Sequence, residues 1–153
     1  MDSLTIKRTT STNTDFVNLI ARLDKDLLNR YNSAQKNYDK HNKIELIDTV
    51  LIIYDNDRPI GCGCFKCLGN DTAEIKRMFI ELDYRGKGIS KIVLKELENW
   101  AKGLGYSKLV LETGKKQPEA IGLYQNYGFK QIDNYGQYAN MPNSVCFEKI
   151  LIN

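Results

Sequence analysis

The segment from residue 49 to residue 80 constrains the fold more than any other part of the chain. It contains three strand-like runs rich in apolar residues, at Thr49–Tyr54, Ile60–Cys67 and Thr72–Ile80. The connections between them, at 55–59 and 68–71, are short and rich in Asp, Asn, Gly and Pro, the residues that form tight turns. Strands joined by such short turns pair antiparallel, so the sequence predicts a three-stranded meander.

The patterns on either side of the meander predict both strands and helices. The predicted strands are Leu4–Arg8, Lys108–Glu112, Phe129–Ile132 and Ser144–Leu151. The predicted helices are Asn13–Arg30, with Asn13 or Thr12 as the N-cap, a second that ends at Leu104, and Pro118–Tyr127. We therefore expect an α/β (α+β) fold, with a mixed sheet and helices on both faces, in a single domain over residues 1–153.

Composition narrows the functional classes. The formal net charge of the 153 residues is only +3, whereas a nucleic-acid-binding domain usually carries a stronger, clustered basic bias. No apolar run approaches the roughly 20 residues that cross a bilayer, and the polar N-terminus lacks the apolar core of a signal peptide. We expect no nucleic-acid partner, no membrane association and a cytoplasmic location.

The four cysteines are Cys62, Cys64, Cys67 and Cys146. Three of them cluster in sequence, but structural zinc normally takes four ligands in pairs with turn-like spacing. Cys62 and Cys64 are two residues apart in a predicted strand, and the single histidine, His41, is distant in sequence. The pattern predicts free, mostly buried thiols and no metal site.

The third strand of the meander contains a phase slip. Ala73 and Ile75 alternate in one phase, while Met78 and Ile80 alternate in the other. A β-bulge near Lys76 and Arg77 explains the slip, since one extra residue exchanges the two faces of a strand. The alternative is that Lys76 and Arg77 are simply solvated on an edge.

A glycine turn follows this strand and precedes a predicted helix. Gly86 and Gly88 allow close approach to the backbone, and the first N–H groups of the helix point toward them. Together with nearby basic residues, this arrangement predicts a site for a phosphorylated ligand. The segment lacks both the P-loop pattern and the third glycine of the Rossmann fingerprint. The alternative is a turn that binds no ligand.

Two segments together resemble the GNAT superfamily of acetyl-CoA-dependent N-acetyltransferases. The run from Arg85 to Ser90 resembles its coenzyme A signature, Arg/Gln-x-x-Gly-x-Gly/Ala, with Arg85 and Gly88 matching and Ser90 in place of Gly or Ala. Ala120–Phe129 resembles the family segment Ala-x-x-Leu-Tyr-x-x-x-Gly-Phe. The resemblance covers roughly residues 49–132 and implies a mostly antiparallel sheet of about six or seven strands.

The resemblance also implies how acetyl-CoA binds. The fourth and fifth strands of the family separate at a bulge, and the pantetheine arm lies in the gap. There it would pair with the main chain of Met78, Phe79 and Ile80. The pyrophosphate would bind the amides of the glycine turn, at Arg85, Gly86, Lys87, Gly88, Ile89 and Ser90.

Catalytic roles follow from the same resemblance. Tyr124 is the predicted acid for the departing thiolate, with an unperturbed pKa of about 10. Glu74 is the predicted base, or a clamp for a cationic amine, and Glu112 is the second candidate. Phe79 or Ile80 would donate an N–H group to the carbonyl oxygen. The aromatic segment Tyr135–Tyr138 is predicted to be flexible and to close over the acceptor as a lid.

The sequence therefore predicts acetyl transfer from acetyl-CoA to an amine, with a small-molecule acceptor favoured. Three alternatives stay open: acetylation of a protein lysine, acetylation of a protein N-terminus, and a catalytically silent acyl-CoA-binding module. The role of Glu74 is likewise open between base, clamp and surface charge. Homodimerisation is an expectation of the family as a class.

Overall fold

A computed structural model describes residues 3–31 and 45–151 of the chain. Within them lie seven strands and three α-helices. The strands are β1 (Leu4–Thr9), β2 (Val50–Asp55), β3 (Arg58–Gly69), β4 (Thr72–Ile80), β5 (Lys108–Gly114), β6 (Lys130–Ile132) and β7 (Ser144–Ile150). The helices are α1 (Thr14–Tyr31), α2 (Ile89–Gly103) and α3 (Pro118–Asn126).

The strands form one sheet in the order β1-β2-β3-β4-β5-β7-β6. The pairs β1–β2, β2–β3, β5–β7 and β6–β7 are antiparallel, and β4–β5 is parallel. A mixed, mostly antiparallel sheet with helices confirms the predicted fold class. The predicted meander corresponds to β2, β3 and β4, and element boundaries differ from the predicted ones by one or two residues.

The fold divides into two compact units, and the first comprises Met1–Cys64 and Arg77–Leu94. Helix α1 starts at an Asn13 cap, whose Oδ1 accepts the N–H groups of Asp15 (2.9 Å) and Phe16 (3.3 Å). This decides between the two predicted caps. The apolar face of α1 packs into the core of this unit. That core contains Phe16, Leu19, Ile20, Leu23, Leu27, Ile47, Val50, Ile52, Cys62, Cys64 and Phe79.

The second unit comprises Phe65–Lys76 and Lys95–Asn153. Its strand β5 is paired along its whole length with β7, from Lys108↔Ile150 to Gly114↔Ser144. Phe65 contacts Trp100 and Tyr106 edge to face, with ring centroids 5.6 and 5.8 Å apart. The pairing of β5 with β7 brings residues from distant parts of the sequence onto one face, which matters for the site below.

The backbone of β4 is irregular at the position where the bulge is predicted. Arg77 has a φ of +59°, a left-handed conformation that is uncommon for a long side chain. The parallel register of β4 with β5 runs from Thr72↔Lys108 to Ile75↔Leu111, just before this residue. The alternative of solvated basic side chains is wrong, because Lys76 is buried and the Arg77 side chain is only 6% exposed.

The thiols of Cys62, Cys64 and Cys146 are buried and that of Cys67 is exposed, and none of these four described residues forms a disulfide. His41 lies outside the described residues. Among the residues that are described, no helix combines the length and the apolar character needed to cross a membrane.

Candidate active site

The glycine turn lies in the first unit, between β4 and α2. Gly86 and Gly88 have φ values of +78° and +80°, which a side chain would strain. The positions where their Cβ atoms would be have no heavy atom within 4 Å, so the backbone there is open to a ligand. Helix α2 begins at Ile89, and its first N–H groups have no carbonyl partner within the helix. The turn therefore has the geometry of an anion site.

A short 3-10 turn, Leu82–Tyr84, holds the glycine turn against the β2–β3 hairpin. Both Nη atoms of Arg58 contact the Asp83 carboxylate, at 2.9 and 3.1 Å. The hydroxyl of Tyr84 donates to Asp55 Oδ2 at 2.5 Å. These contacts join residues 25 to 29 positions apart, and sequence patterns gave no sign of them. They fix the turn before any ligand binds.

The side chain of Arg85 faces the protein. Its Nε donates to the carbonyl oxygen of Ile80 at 2.8 Å, its guanidinium lies 5.5 Å from the Phe79 ring centroid, and Nη2 is 3.7 Å from Asp26. The guanidinium therefore braces the turn, which is consistent with phosphate contacts from main-chain amides. Lys87 is exposed, with its Nζ 5.4 Å from the Tyr84 ring centroid.

Helix α1 supports the end of β4 through ion pairs. Asp24 accepts a hydrogen bond from Arg77 at 2.8 Å, and Arg22 pairs with Glu81 at 2.9 Å. The Arg77 pair is the stronger constraint, since that guanidinium is almost fully buried and needs its partner. It also helps to hold the left-handed backbone of Arg77. The segment containing Met78, Phe79 and Ile80 is thus held at both ends.

The predicted base candidates lie in the second unit, on one face of the sheet. Glu74 is in register with Val110, and Glu112 is two residues further along β5, so both carboxylates point to the same side. Glu112 is in register with Cys146, and Ser144 is two residues before it on β7. We call Glu74, Lys76, Glu112, Ser144 and Cys146 the carboxylate face.

Each carboxylate accepts a hydrogen bond from a hydroxyl group. Tyr135 Oη donates to Glu74 Oε2, and Ser144 Oγ donates to Glu112 Oε2, both at 2.6 Å. Glu74 is only 3% exposed, so it is not a surface charge. These donors were missed at the sequence level, because the partners are 61 and 32 residues apart. The one signal in the sequence was that a predicted strand begins at Ser144, which allows this residue to lie beside β5.

The segment Tyr135–Tyr138, which is predicted to act as a lid, packs against the carboxylate face in this structure. Residues Gly136–Tyr138 form a 3-10 turn, and Tyr138 is buried. The Asn134 amide nitrogen donates to the carbonyl oxygens of Met141 (3.3 Å) and Ser144 (3.1 Å). The rings of Tyr135 and Tyr138 meet edge to face, with centroids 5.7 Å apart. In this arrangement the segment forms a wall beside the carboxylate face.

Burial dominates the electrostatics of this face. It raises the pKa of Glu112 from 4.5 to about 7, with the Ser144 hydrogen bond and Lys76 opposing the rise and Glu74 adding to it. Burial also raises the pKa of the Tyr135 phenol, with the charge of Glu74 reinforcing it. Tyr135 therefore stays protonated, and its hydroxyl donates the hydrogen bond to Glu74. Glu112 is poised to exchange a proton near neutral pH.

Tyr124 is buried on helix α3 in the same unit. Its ring contacts Phe129 and Phe147, with centroids 5.7 and 6.3 Å apart. Burial, and then the charge of Glu112, raise the pKa of Tyr124 well above its usual value. The expectation of an unperturbed pKa is therefore wrong. A phenol with a raised pKa stays protonated and acts best as a hydrogen-bond donor.

The fold and these groups define the class of protein. A mixed sheet, an open glycine turn at the start of a helix and two carboxylates on one face of the sheet are the features that the resemblance to acetyltransferases leads us to expect. Residues 16–129 match the model of the Acetyltransferase (GNAT) family, and the chain belongs to that family.

Related proteins agree with this assignment. The IAA acetyltransferase of Azospirillum brasilense is 32% identical, over 99% of this chain and all of that protein (100%). The uncharacterized N-acetyltransferase YsnE of Bacillus subtilis (strain 168) is 35% identical over 64% of this chain and 66% of its own length. A solved Klebsiella pneumoniae structure, described as a candidate acyl-CoA N-acyltransferase, shares 27% identity with a TM-score of 0.80, covering 97% of this chain and 98% of that one.

Proposed function

We propose that the protein transfers an acetyl group from acetyl-CoA to the amine of a small molecule. The glycine turn would bind the pyrophosphate through the main chain of Arg85–Ser90, and Met78, Phe79 and Ile80 would bind the pantetheine arm. An acetyltransferase from Elizabethkingia anophelis with acetyl-CoA bound has the same fold (TM-score 0.71, 23% identity, 99% of this chain and 100% of that one).

The pair of carboxylates on the carboxylate face is the observation that carries the proposal. An amine is mostly protonated near pH 7, so transfer requires a group that accepts its proton. A module that only binds acyl-CoA has no use for a buried Glu74 beside a half-buried Glu112, because withdrawing carboxylates from water is costly. Glu74 and Glu112 supply the acceptor and a negative site for the incoming ammonium. Tyr124 would donate a hydrogen bond to the departing sulfur.

The wall of Tyr135 and Tyr138 favours a small acceptor. Tyr135 contacts Glu74 directly, and the Tyr138 ring is almost fully buried, so aromatic side chains cover this side of the carboxylates. The name of the Azospirillum brasilense relative also refers to a small molecule. A protein substrate would instead need an open groove for its backbone.

Mass spectrometry of the products tests the proposal. The protein is incubated with acetyl-CoA and a panel of primary amines, with a lysine-containing peptide and a free peptide N-terminus in parallel. We expect an acetylated small amine and an equal amount of CoA. Acetylated peptide alone would support the protein-acceptor alternative, and binding of acetyl-CoA without any transfer would support the silent module.

Tyr124→Phe is the matched variant for the catalytic step. It should lower kcat by about a hundredfold, the lower end of the range for general acids, because the donor to the sulfur is lost. Tyr127→Phe is the control, because Tyr127 packs its ring near Phe129 and Lys149 at the end of the same helix. Equal rates for the two variants would remove Tyr124 from the mechanism.

A further inference from the structure

Ser144 is a member of the carboxylate face to which the proposed reaction assigns no role. It is the first residue of β7 and is only 4% exposed. Its hydroxyl donates to one oxygen of Glu112 at 2.6 Å, which leaves the second oxygen of that carboxylate outside this bond. A short bond to a charged acceptor both orients the carboxylate and favours its ionised form.

We propose that Glu112 is the proton acceptor of the acetyl transfer and that Ser144 is its positioning residue. Glu74, held by Tyr135, then serves as the negative charge that receives the ammonium. This assignment rests on the proposed function, since it divides the labour between the two carboxylates of that site.

Exposure separates the two carboxylates. A proton acceptor must pass its proton to solvent after each cycle, and Glu112 is half-buried whereas Glu74 is only 3% exposed. Glu74 is also engaged by the Tyr135 phenol, which retains its proton. Glu112 is thus the carboxylate better able to exchange protons.

Several charged or titratable groups face Glu112 from the elements packed around it. Lys76 on β4 and the hydroxyl of Ser144 favour the charged carboxylate, and Glu74 on β4 opposes it. The Glu112 charge in turn raises the pKa values of three neighbouring groups: Tyr124, Tyr138 and Cys146.

The proton balance of the reaction fits this arrangement. An ammonium passes one proton to Glu112, and the neutral nitrogen attacks the thioester carbonyl carbon. The C–N bond forms, the C–S bond breaks, and the second nitrogen proton neutralises the thiolate. The products are an amide, CoA and one proton that leaves Glu112 for solvent. Protonation of Glu112 also removes a negative charge that raises the pKa of Tyr124. Tyr124 therefore becomes a better proton donor when the thiolate leaves.

Loss of the Ser144 hydroxyl should therefore shift the pKa of Glu112 in a known direction. The bond stabilises the charged form, so Ser144→Ala raises the pKa of Glu112. Activity requires the carboxylate, so the acid limb of kcat/KM lies near pH 7 in the wild type and moves upward in the variant. A rise of about one unit lowers activity on the acid limb by about tenfold and leaves the plateau at high pH unchanged.

Two readouts test the proposal. The first is a carboxyl-carbon NMR titration of glutamate-labelled protein, with Glu112→Gln used to assign the Glu112 signal. The second is the pH profile of kcat/KM for the best small amine found in the product screen. Ser144→Thr keeps the hydroxyl, so the Glu112 pKa and the acid limb of kcat/KM should both stay near their wild-type values. Ser11→Ala removes another buried hydroxyl, which accepts the Ile47 N–H at 2.8 Å, and should move neither.

We expect the Glu112 pKa from NMR to coincide with the acid limb of kcat/KM in the wild type. Both should rise together in Ser144→Ala, and Glu112→Gln should abolish the acid limb. The proposal is overturned if the limb is unchanged in Ser144→Ala, or if Glu74→Gln abolishes it and Glu112→Gln does not. A protein that binds no acetyl-CoA would refute the proposed function, and the NMR titration would still report whether Ser144 controls Glu112.

Discussion

Gly61 lies where β3 passes closest to the end of β4, and a single methyl group there tests the packing directly. A Cβ atom at this position would be 2.6 Å from Ile80 Cδ1, 3.0 Å from the Phe79 carbonyl oxygen and 3.1 Å from Ile53 Cγ2. The tip of Ile80 can rotate away. The Phe79 carbonyl belongs to the backbone, and the Ile53 methyl is on a β-branched side chain with few rotamers.

We expect Gly61→Ala to destabilise the protein. Overpacking of a core costs about 1–3 kcal/mol, and the lower entropy of the unfolded alanine chain returns about 0.4–1 kcal/mol. The net loss is then about 1–2 kcal/mol. With a urea m-value of about 2 kcal/mol/M, the unfolding midpoint should fall by roughly 0.5–1 M.

Urea unfolding followed by circular dichroism measures this change. Gly103→Ala is the control, because the space around Gly103 at the end of α2 is open and its backbone is not left-handed. That variant should be neutral or gain up to about 1 kcal/mol. An unchanged midpoint for Gly61→Ala would refute the close approach of β3 to Phe79 and Ile80.

Three further predictions concern charge, anchoring and thiols. Burial raises the pKa of Glu112 to about 7, so the stability that its protonated form contributes is fully present below pH 4.5 and is lost as the pH rises through 7. Thermal unfolding should therefore show that Glu112→Gln stabilises the protein at pH 8 by up to about 3 kcal/mol, and that this gain disappears toward pH 4.5. Tyr84→Phe removes the hydrogen bond to Asp55 that holds the glycine turn. Calorimetry should then show that acetyl-CoA binds about threefold to tenfold more weakly. An unchanged affinity would show that this hydrogen bond does not hold the turn. Alkylation of the native protein should label Cys67 first, and rapid labelling of a buried thiol would contradict the packing around it. Those buried thiols are Cys62, Cys64 and Cys146.

The elements of the fold were predictable because each has a local signature. Alternation and turn residues located β2, β3 and β4, and the phase slip falls at Arg77, where the backbone is left-handed. The glycine turn was predictable for the same reason, since its glycines lie directly between a strand and a helix. These features depend on neighbours within a few residues, which sequence periodicity records.

The partners of the site residues were not predictable from one sequence. Glu74 and Glu112 were named as competing candidates, but Tyr135 and Ser144 reach them only because β4, β5 and β7 share one sheet. The raised pKa of Tyr124 also depends on tertiary burial. Contacts between distant segments, and the desolvation that follows from them, leave no local pattern.

Thermal unfolding with increasing acetyl-CoA tests the central claim most directly, because a ligand that binds the folded state raises the midpoint by mass action. We predict a concentration-dependent rise with acetyl-CoA and with CoA, none with NAD, and a smaller rise in Gly88→Ala, where a left-handed φ of +80° strains the alanine backbone. No rise with saturating acetyl-CoA would contradict the coenzyme site and the proposed reaction with it.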